Sequence, residues 1–162
     1  MAVGKRIADK TNAMRQLDAA GIPYVHRVYD ADAALSGIEV ADVLGQDRDR
    51  VFKTLVTVGK SGAHYVFMVP VNEELNLKKA ACAAGEKGIA MLKARDLFDL
   101  TGYVHGGCSP LGMKKHFPTF IDETALLFDD AVMCSAGRRG DQLELALNDL
   151  LRAAHATLAD LT

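Results

Sequence analysis

The chain has 162 residues, 49% of them hydrophobic and 25% charged, which suits one domain with a core large enough to need no disulfide or metal and excludes a disordered or fibrous chain. A net charge of −2 excludes a broad electrostatic footprint for nucleic acid, so any RNA contact must come from local patches. No apolar run approaches the roughly 18 residues that span a bilayer, and the first ten residues lack the apolar core of a signal peptide, so a soluble cytoplasmic protein with no membrane partner is expected.

Cys82, Cys108 and Cys134 are odd in number, far apart and without a C-x-x-C pair, and they read as reduced thiols. In residues 5–20, Ile7, Ala8, Met14 and Leu17 recur at near-helical spacing, with Gly21 and Pro23 as a stop, predicting an amphipathic first helix. Residues 24–29 alternate and are rich in β-branched and aromatic types, as in a strand, while residues 38–44 have a helical pattern ending at Gly45. Residues 51–58 and 63–69 are β-prone runs on either side of Gly59-Lys60-Ser61-Gly62, which predicts a hairpin.

Asn76 is placed to cap a helix running to Ala84 and stopped by Gly85, and residues 93–100 predict another ending at Gly102. Short strands are expected near Ile89, Phe120, Val132 and Leu143. Residues 148–161 carry Leu150, Leu151, Ala154 and Leu158 on one helical face, predicting a closing amphipathic helix. Hairpins mixed with helices, without regular β-α-β alternation, indicate an α+β (mixed α/β) fold, a single domain over residues 1–162 built around one sheet.

Lys53 lies in V-F-K-T-L-V, where strand alternation sets it opposite Phe52 and Thr54 and beside Val51 and Leu55. Two readings stand: a lysine whose stem packs while its ammonium reaches water, or a cation that holds a substrate carbonyl, carboxylate or phosphate. The run T-G-Y-V-H-G-G-C-S-P-L-G at 101–112 has four glycines in the eleven positions from Gly102 to Gly112, more than one turn needs. Such a run is either a long surface loop or a segment whose amides approach a ligand closely. Its spacing matches neither G-x-x-x-x-G-K-[ST] nor G-x-G-x-x-G, which argues against ATP and NAD.

Cys108 and His105 share that loop, but three residues of separation is no evidence for a nucleophile and base. The stretch C-S-A-G-R-R-G at 134–140 is weak by itself, equally a polar hairpin turn. Lys78-Lys79, Lys114-Lys115 and Arg138-Arg139 are either solvated surface or, if they converge on one pocket, a grip on an RNA backbone. No H-E-x-x-H or G-x-S-x-G occurs, so a mechanism with no metal and no cofactor is expected.

Four ordered motifs, V-F-K-T-L-V, L-N-L-K-K-A at 75–80, T-G-Y-V-H-G-G-C-S-P-L-G and G-R-R-G at 137–140, resemble the YbaK/EbsC family, and the pattern is nearer to its cysteine-editing than to its alanine-editing branch. The resemblance implies a central, partly barrel-like sheet surrounded by helices, and trans-editing hydrolysis of Cys-tRNA(Pro). Deacylation of tRNAs mischarged with Ala or Ser, and a non-catalytic module for the aminoacylated 3′ end, remain alternatives. By motif the family's pocket lysine falls on Lys53, and its binding residues on Tyr29, Thr54, Gly106, Gly107 and Ser135, with Ser109, Gly137 and Arg138 completing the candidate substrate contacts. The expected partners are the tRNA 3′ end and prolyl-tRNA synthetase. The resemblance further implies that the substrate's own thiol attacks the ester, with no protein nucleophile.

Overall fold

The computed structural model describes residues 9–162. The first helix, α1 (Asn12–Ala19), begins where the Thr11 hydroxyl accepts the Met14 N–H, and it buries Ala13, Met14 and Leu17. Of the expected helix, residues 5–8 lie outside the described residues, and residues 9–11 precede the first turn. Strand β1 (Val25–Val28) follows, then α2 (Gly37–Val43), opened by a reciprocal Ser36–Glu39 capping box. The hairpin β2 (Phe52–Gly59) and β3 (His64–Pro70) pairs antiparallel from Phe52↔Pro70 to Val58↔His64.

Helix α3 (Leu77–Ala84) is capped by Asn76, whose carbonyl oxygen accepts the N–H groups of Lys78 and Lys79, and it ends at Gly85 with φ 71°. After it come β4 (Ile89–Met91), α4 (Ala94–Thr101), β5 (Thr119–Asp122), β6 (Val132–Arg138), β7 (Asp141–Leu145), α5 (Leu147–Ala154) and β8 (Ala156–Ala159). Among the described residues no helix is long and apolar enough to cross a membrane.

The closing helix is shorter than its apolar spacing predicts. It stops at Ala154, His155 takes the left-handed φ of 49°, and the chain continues as β8, parallel to β5 from Thr119↔Ala156 to Asp122↔Ala159. Leu150 and Ala154 are buried from the helix, whereas Leu158 packs against the same cluster from a strand. The pattern is compatible with both periods at that point, and the open edge of β5 decides between them.

The fold is α+β, and among the described residues the strands are arranged as two sheets rather than one, with no closed barrel. A five-stranded mixed sheet runs β4-β2-β3-β5-β8, and a three-stranded antiparallel sheet runs β1-β7-β6. One bridge, Val51↔Met133, joins them. The larger sheet is covered on both faces, which is why Val66, Phe67, Met68 and Val69 are all buried in succession along β3. Phe67 and Val69 pack with Ala80, Ala81 and Leu161 on one face, while Phe52, Met68 and Ile121 meet Val132, Leu143 and Leu150 on the other. Each such fully buried side chain contributes about 1.5–3 kcal/mol.

Candidate functional site

The site is a consequence of how β2 is paired. At its start Val51 bridges to Met133, and at its end Thr57–Gly59 pairs with β4, but from Phe52 to Val56 no strand among the described residues occupies the edge away from β3. The Val51 carbonyl accepts Val71 N–H on the β3 side and the Val56 carbonyl accepts Leu92 N–H on the other side. Backbone direction alternates along a strand, so the N–H and C=O of Thr54 point the same way as those of Val56, onto the open edge.

A cavity of about 720 Å³ fills the gap between the two sheets. That volume is within the range of small-molecule sites. Its floor is the open half of β2. Cys134 and Ser135 of β6 with Asp141 and Gln142 of β7 form one wall, and α2 with the segment before it, residues 91–97 and the glycine loop at 105–108 form the others.

Thr54 lines the cavity, and its hydroxyl oxygen is buried and has no hydrogen-bond partner, the single such side-chain atom found among the described residues. An unsatisfied buried hydroxyl costs about 1–3 kcal/mol, a penalty that a ligand with a polar atom in reach would remove. Lys53 also lines the cavity, with its side chain 29% exposed and its Nζ 3.9 Å from a Glu74 carboxylate that is 97% exposed. A long contact to a solvated carboxylate leaves most of the cationic field available to a bound anion. Lys53 is therefore on an inner strand of the sheet, in the stretch where that strand has one free edge.

The glycine loop is fixed by its own chain more than its composition suggests. A Cβ on Gly107 would sit 2.9 Å from the backbone nitrogen of Arg139, and one on Gly112 would sit 2.7 Å from that of Ala13. These two glycines admit the β6–β7 turn and α1, respectively. Gly106, with φ 84°, is the loop glycine that lines the cavity. Arg139 donates from Nε to the His105 carbonyl at 2.9 Å, stitching loop to hairpin at the cavity rim.

Of the sequence-predicted residues, Tyr29, Lys53, Thr54, Gly106 and Ser135 come together around the cavity, and Ser135 Oγ accepts Gly137 N–H at 3.1 Å. Gly107, Ser109, Gly137 and Arg138 do not line it. Ser109 is fully buried with its Oγ accepting Leu111 N–H, and Gly137 makes room for the Tyr103 ring. Arg138 turns to Asp141 and Asp9. The three basic pairs do not converge either: only Arg139 among them reaches the cavity, while Lys79 pairs with Asp160 and Lys114 lies over the Phe98 ring.

Asp141 is a wall residue that sequence reasoning missed. It is fully buried, 2.7 Å from His26 Nε2 and 2.6 Å from Arg138 Nε. Its signal was available: an acidic residue opening a strand in register with Leu143 and Leu145, immediately after Arg138-Arg139-Gly140, is set on the inward face and needs a basic partner nearby. Gln142 pairs with Gln46 at 2.7 Å beside it, fixing the segment after α2 to β7.

Cys108 and Cys134 also line the cavity, and burial pushes both thiols up to about 12, so at neutral pH they remain protonated and behave as small apolar groups. No hydrogen bond joins Cys108 to His105. The arrangement offers a cation, an unpaired hydroxyl and free strand-edge amides around a mostly apolar space, which is equipment for positioning a substrate and stabilising charge on it.

Residues 32–153 match the aminoacyl-tRNA editing domain. A protein of Enterococcus faecalis named as a Cys-tRNA(Pro)/Cys-tRNA(Cys) deacylase, EbsC, is 44% identical over 159 residues, 98% of this chain and 96% of that one. Among solved structures, one described as a trans-editing enzyme for prolyl tRNA synthetase superposes with a TM-score of 0.81 at 26% identity, covering 93% of this chain and 94% of that one. A proline–tRNA ligase of Shouchella clausii is 30% identical over 102 residues, 63% of this chain and 18% of the ligase. With three quarters of its length matched to the domain and a relative of nearly equal length at 44% identity, the chain belongs to the aminoacyl-tRNA editing family.

Proposed function

We propose that this protein is a trans-editing hydrolase of the cytoplasm that removes cysteine from mischarged Cys-tRNA(Pro). The observation that carries the reading is the buried, unpartnered Thr54 hydroxyl next to Lys53 on the open edge of β2, in a cavity sized for an aminoacyl nucleoside. Lys53 supplies positive charge where the ester carbonyl becomes an oxyanion. Thr54 and the free edge of β2 supply hydrogen bonds that hold the aminoacyl ester, with Tyr29, Gly106 and Ser135 shaping the space around it.

The chemistry needs no nucleophile from the protein. The side-chain thiol of the esterified cysteine bonds to its own carbonyl carbon, giving a cyclic thioester, while the ribose oxygen of the tRNA leaves and takes up the thiol's proton; water then opens the thioester to free cysteine. Holding the two reacting atoms of one substrate in contact gives a high effective concentration, and the protein's share is geometry and charge. The protonated state of Cys108 and Cys134 supports this division of labour, since the thiols that line the cavity are poor nucleophiles.

The similarity to part of proline–tRNA ligases, together with a net charge of −2, supports prolyl-tRNA synthetase as a partner that delivers the RNA. The deciding experiment presents the purified protein with Cys-, Ala- and Ser-charged tRNAs, with and without the synthetase. Cysteine release is expected to be fastest, and to fall by a factor of about 100 or more in Lys53→Ala. Faster release of alanine or serine would reassign the substrate, and tight tRNA binding with no release would make the chain a binding module.

A further inference from the structure

A second cavity, of about 420 Å³, lies on the opposite flank of the glycine loop and shares no lining residue with the first. Three basic side chains, Lys115, His116 and His155, line it, and no acidic one does. Among the described residues none of these three side chains has a hydrogen bond or an ion pair. The two imidazoles meet edge to face, with ring centroids 5.5 Å apart and planes at 82°. No ring nitrogen of either imidazole has a hydrogen-bond partner among the described residues.

The frame around them is rigid. Gln16 spans it, accepting Gly112 N–H at 2.8 Å through Oε1 and donating through Nε2 to the Ala153 carbonyl at 2.8 Å. The close approach of Gly112 to the Asn12–Ala13 backbone prevents the loop from sliding. The carbonyl end of α5 opposes an anion, and Gln16 offsets part of that by donating to the Ala153 carbonyl in the last turn of the helix. His155 holds its place with φ 49° and ψ 44°, the left-handed conformation in which glycine is the unstrained residue, so an imidazole is kept there against the backbone's preference.

We propose that this cavity binds a phosphate group, with the Lys115 ammonium neutralising it and the imidazole N–H groups of His116 and His155 completing its hydrogen bonds. A phosphodiester of a bound RNA and a free phosphate or mononucleotide share this chemistry. Assignment to RNA rests on the function proposed above; the phosphate site itself does not.

The test titrates the full chain with inorganic phosphate while following histidine ring resonances, and separately with an uncharged acceptor-stem RNA at several salt concentrations. Lys115→Ala and His155→Gly are compared with the parent, the glycine variant relieving the strained backbone so that folding is retained. For RNA, each variant is expected to weaken binding about three- to tenfold, and Lys115→Ala, which removes the charge, to lower the slope of log affinity against log salt by about 0.7–0.9, with cysteine release at saturating charged tRNA unchanged in both. Ring shifts with phosphate, lost in the variants while RNA affinity is unaltered, would keep the site and assign it to a free phosphate or nucleotide. No ring shifts with phosphate, together with unaltered RNA affinity and salt slope, would overturn it. A parent protein that fails to hydrolyse any charged tRNA would remove the deacylase reading and leave the phosphate titration as the judge of this one.

Discussion

Two threonines three residues apart on β2 have opposite circumstances. Thr57 lies where β2 is paired on both sides, is fully buried, and donates its hydroxyl to the Tyr65 carbonyl at 2.9 Å. Thr54 lies where the strand has one free edge, and its buried oxygen has no partner. The same residue type on the same strand thus serves the fold in one half and faces the cavity in the other. The distinction extends around the site: Asp141, Gly107 and Arg138 are held by the protein's own atoms, whereas Lys53 and Thr54 keep capacity for something else. Substitutions on the internally satisfied side should cost stability, and substitutions on the other side should cost activity.

The hardest break is Asp141→Ala, which removes a fully buried carboxylate from Arg138 Nε and His26 and leaves the Arg138 guanidinium with Asp9 alone. Urea denaturation is expected to show a loss of about 2–3 kcal/mol, mainly from the lost hydrogen bonds to the buried carboxylate. A loss below 1 kcal/mol would mean that the wall does not depend on this pair. Lys53→Ala should do the reverse. Its roughly 100-fold loss in deacylation corresponds to about 2.7 kcal/mol of transition-state stabilisation, with an unfolding free energy within about 0.5 kcal/mol of the parent. Parallel losses of stability and rate would place Lys53 on the structural side.

Gly107→Ala forces a methyl group against the Arg139 backbone, and a destabilisation of about 1–3 kcal/mol should appear in thermal unfolding. The two threonines give the finest contrast. Thr57→Val should cost about 1 kcal/mol by breaking a satisfied buried hydrogen bond, while Thr54→Val should be neutral or stabilising and raise KM. If both variants lose the same stability and neither changes KM, the difference between the halves of β2 has no functional meaning.

The smallest effect concerns the thiols. Both buried thiols are raised above their ordinary value of 9.0, so the unfolded chain loses their protons first, and stability falls as pH climbs from 9 towards about 12. At pH 8 an alkylating reagent should modify exposed Cys82 and spare Cys108 and Cys134, as peptide mass mapping would reveal.

Local chemistry made much of this molecule legible. Asn76 and Gly85 mark the ends of α3, the tetrapeptide at 59–62 marks the β2–β3 turn, and Gly102 ends α4, because caps and turns are decided by a few adjacent residues. The apolar spacing after Asn148 was misleading because a helix and an inward-facing strand both accept Leu150, Ala154 and Leu158, and only a vacant neighbour at β5 favours the strand. The glycine loop shows the same limit. Its glycines were visible, but whether they admit a ligand or the protein's own backbone depends on residues more than 25 positions away.

By itself the sequence determined most of the elements up to α5, the presence of a lysine in an apolar strand, and the motif order that marks the editing family, all properties of neighbouring residues or of the chain read in line. The tertiary structure decided which of those residues share a cavity. It parts β2 from β6 after a single bridge, leaves Thr54 unpaired while Thr57 is satisfied, and turns Arg138 inward to Asp141 but Arg139 to the rim. The physical reason is that a polar atom's function depends on whether a partner reaches it. For buried atoms that partner comes from a distant strand or is left for the ligand to supply.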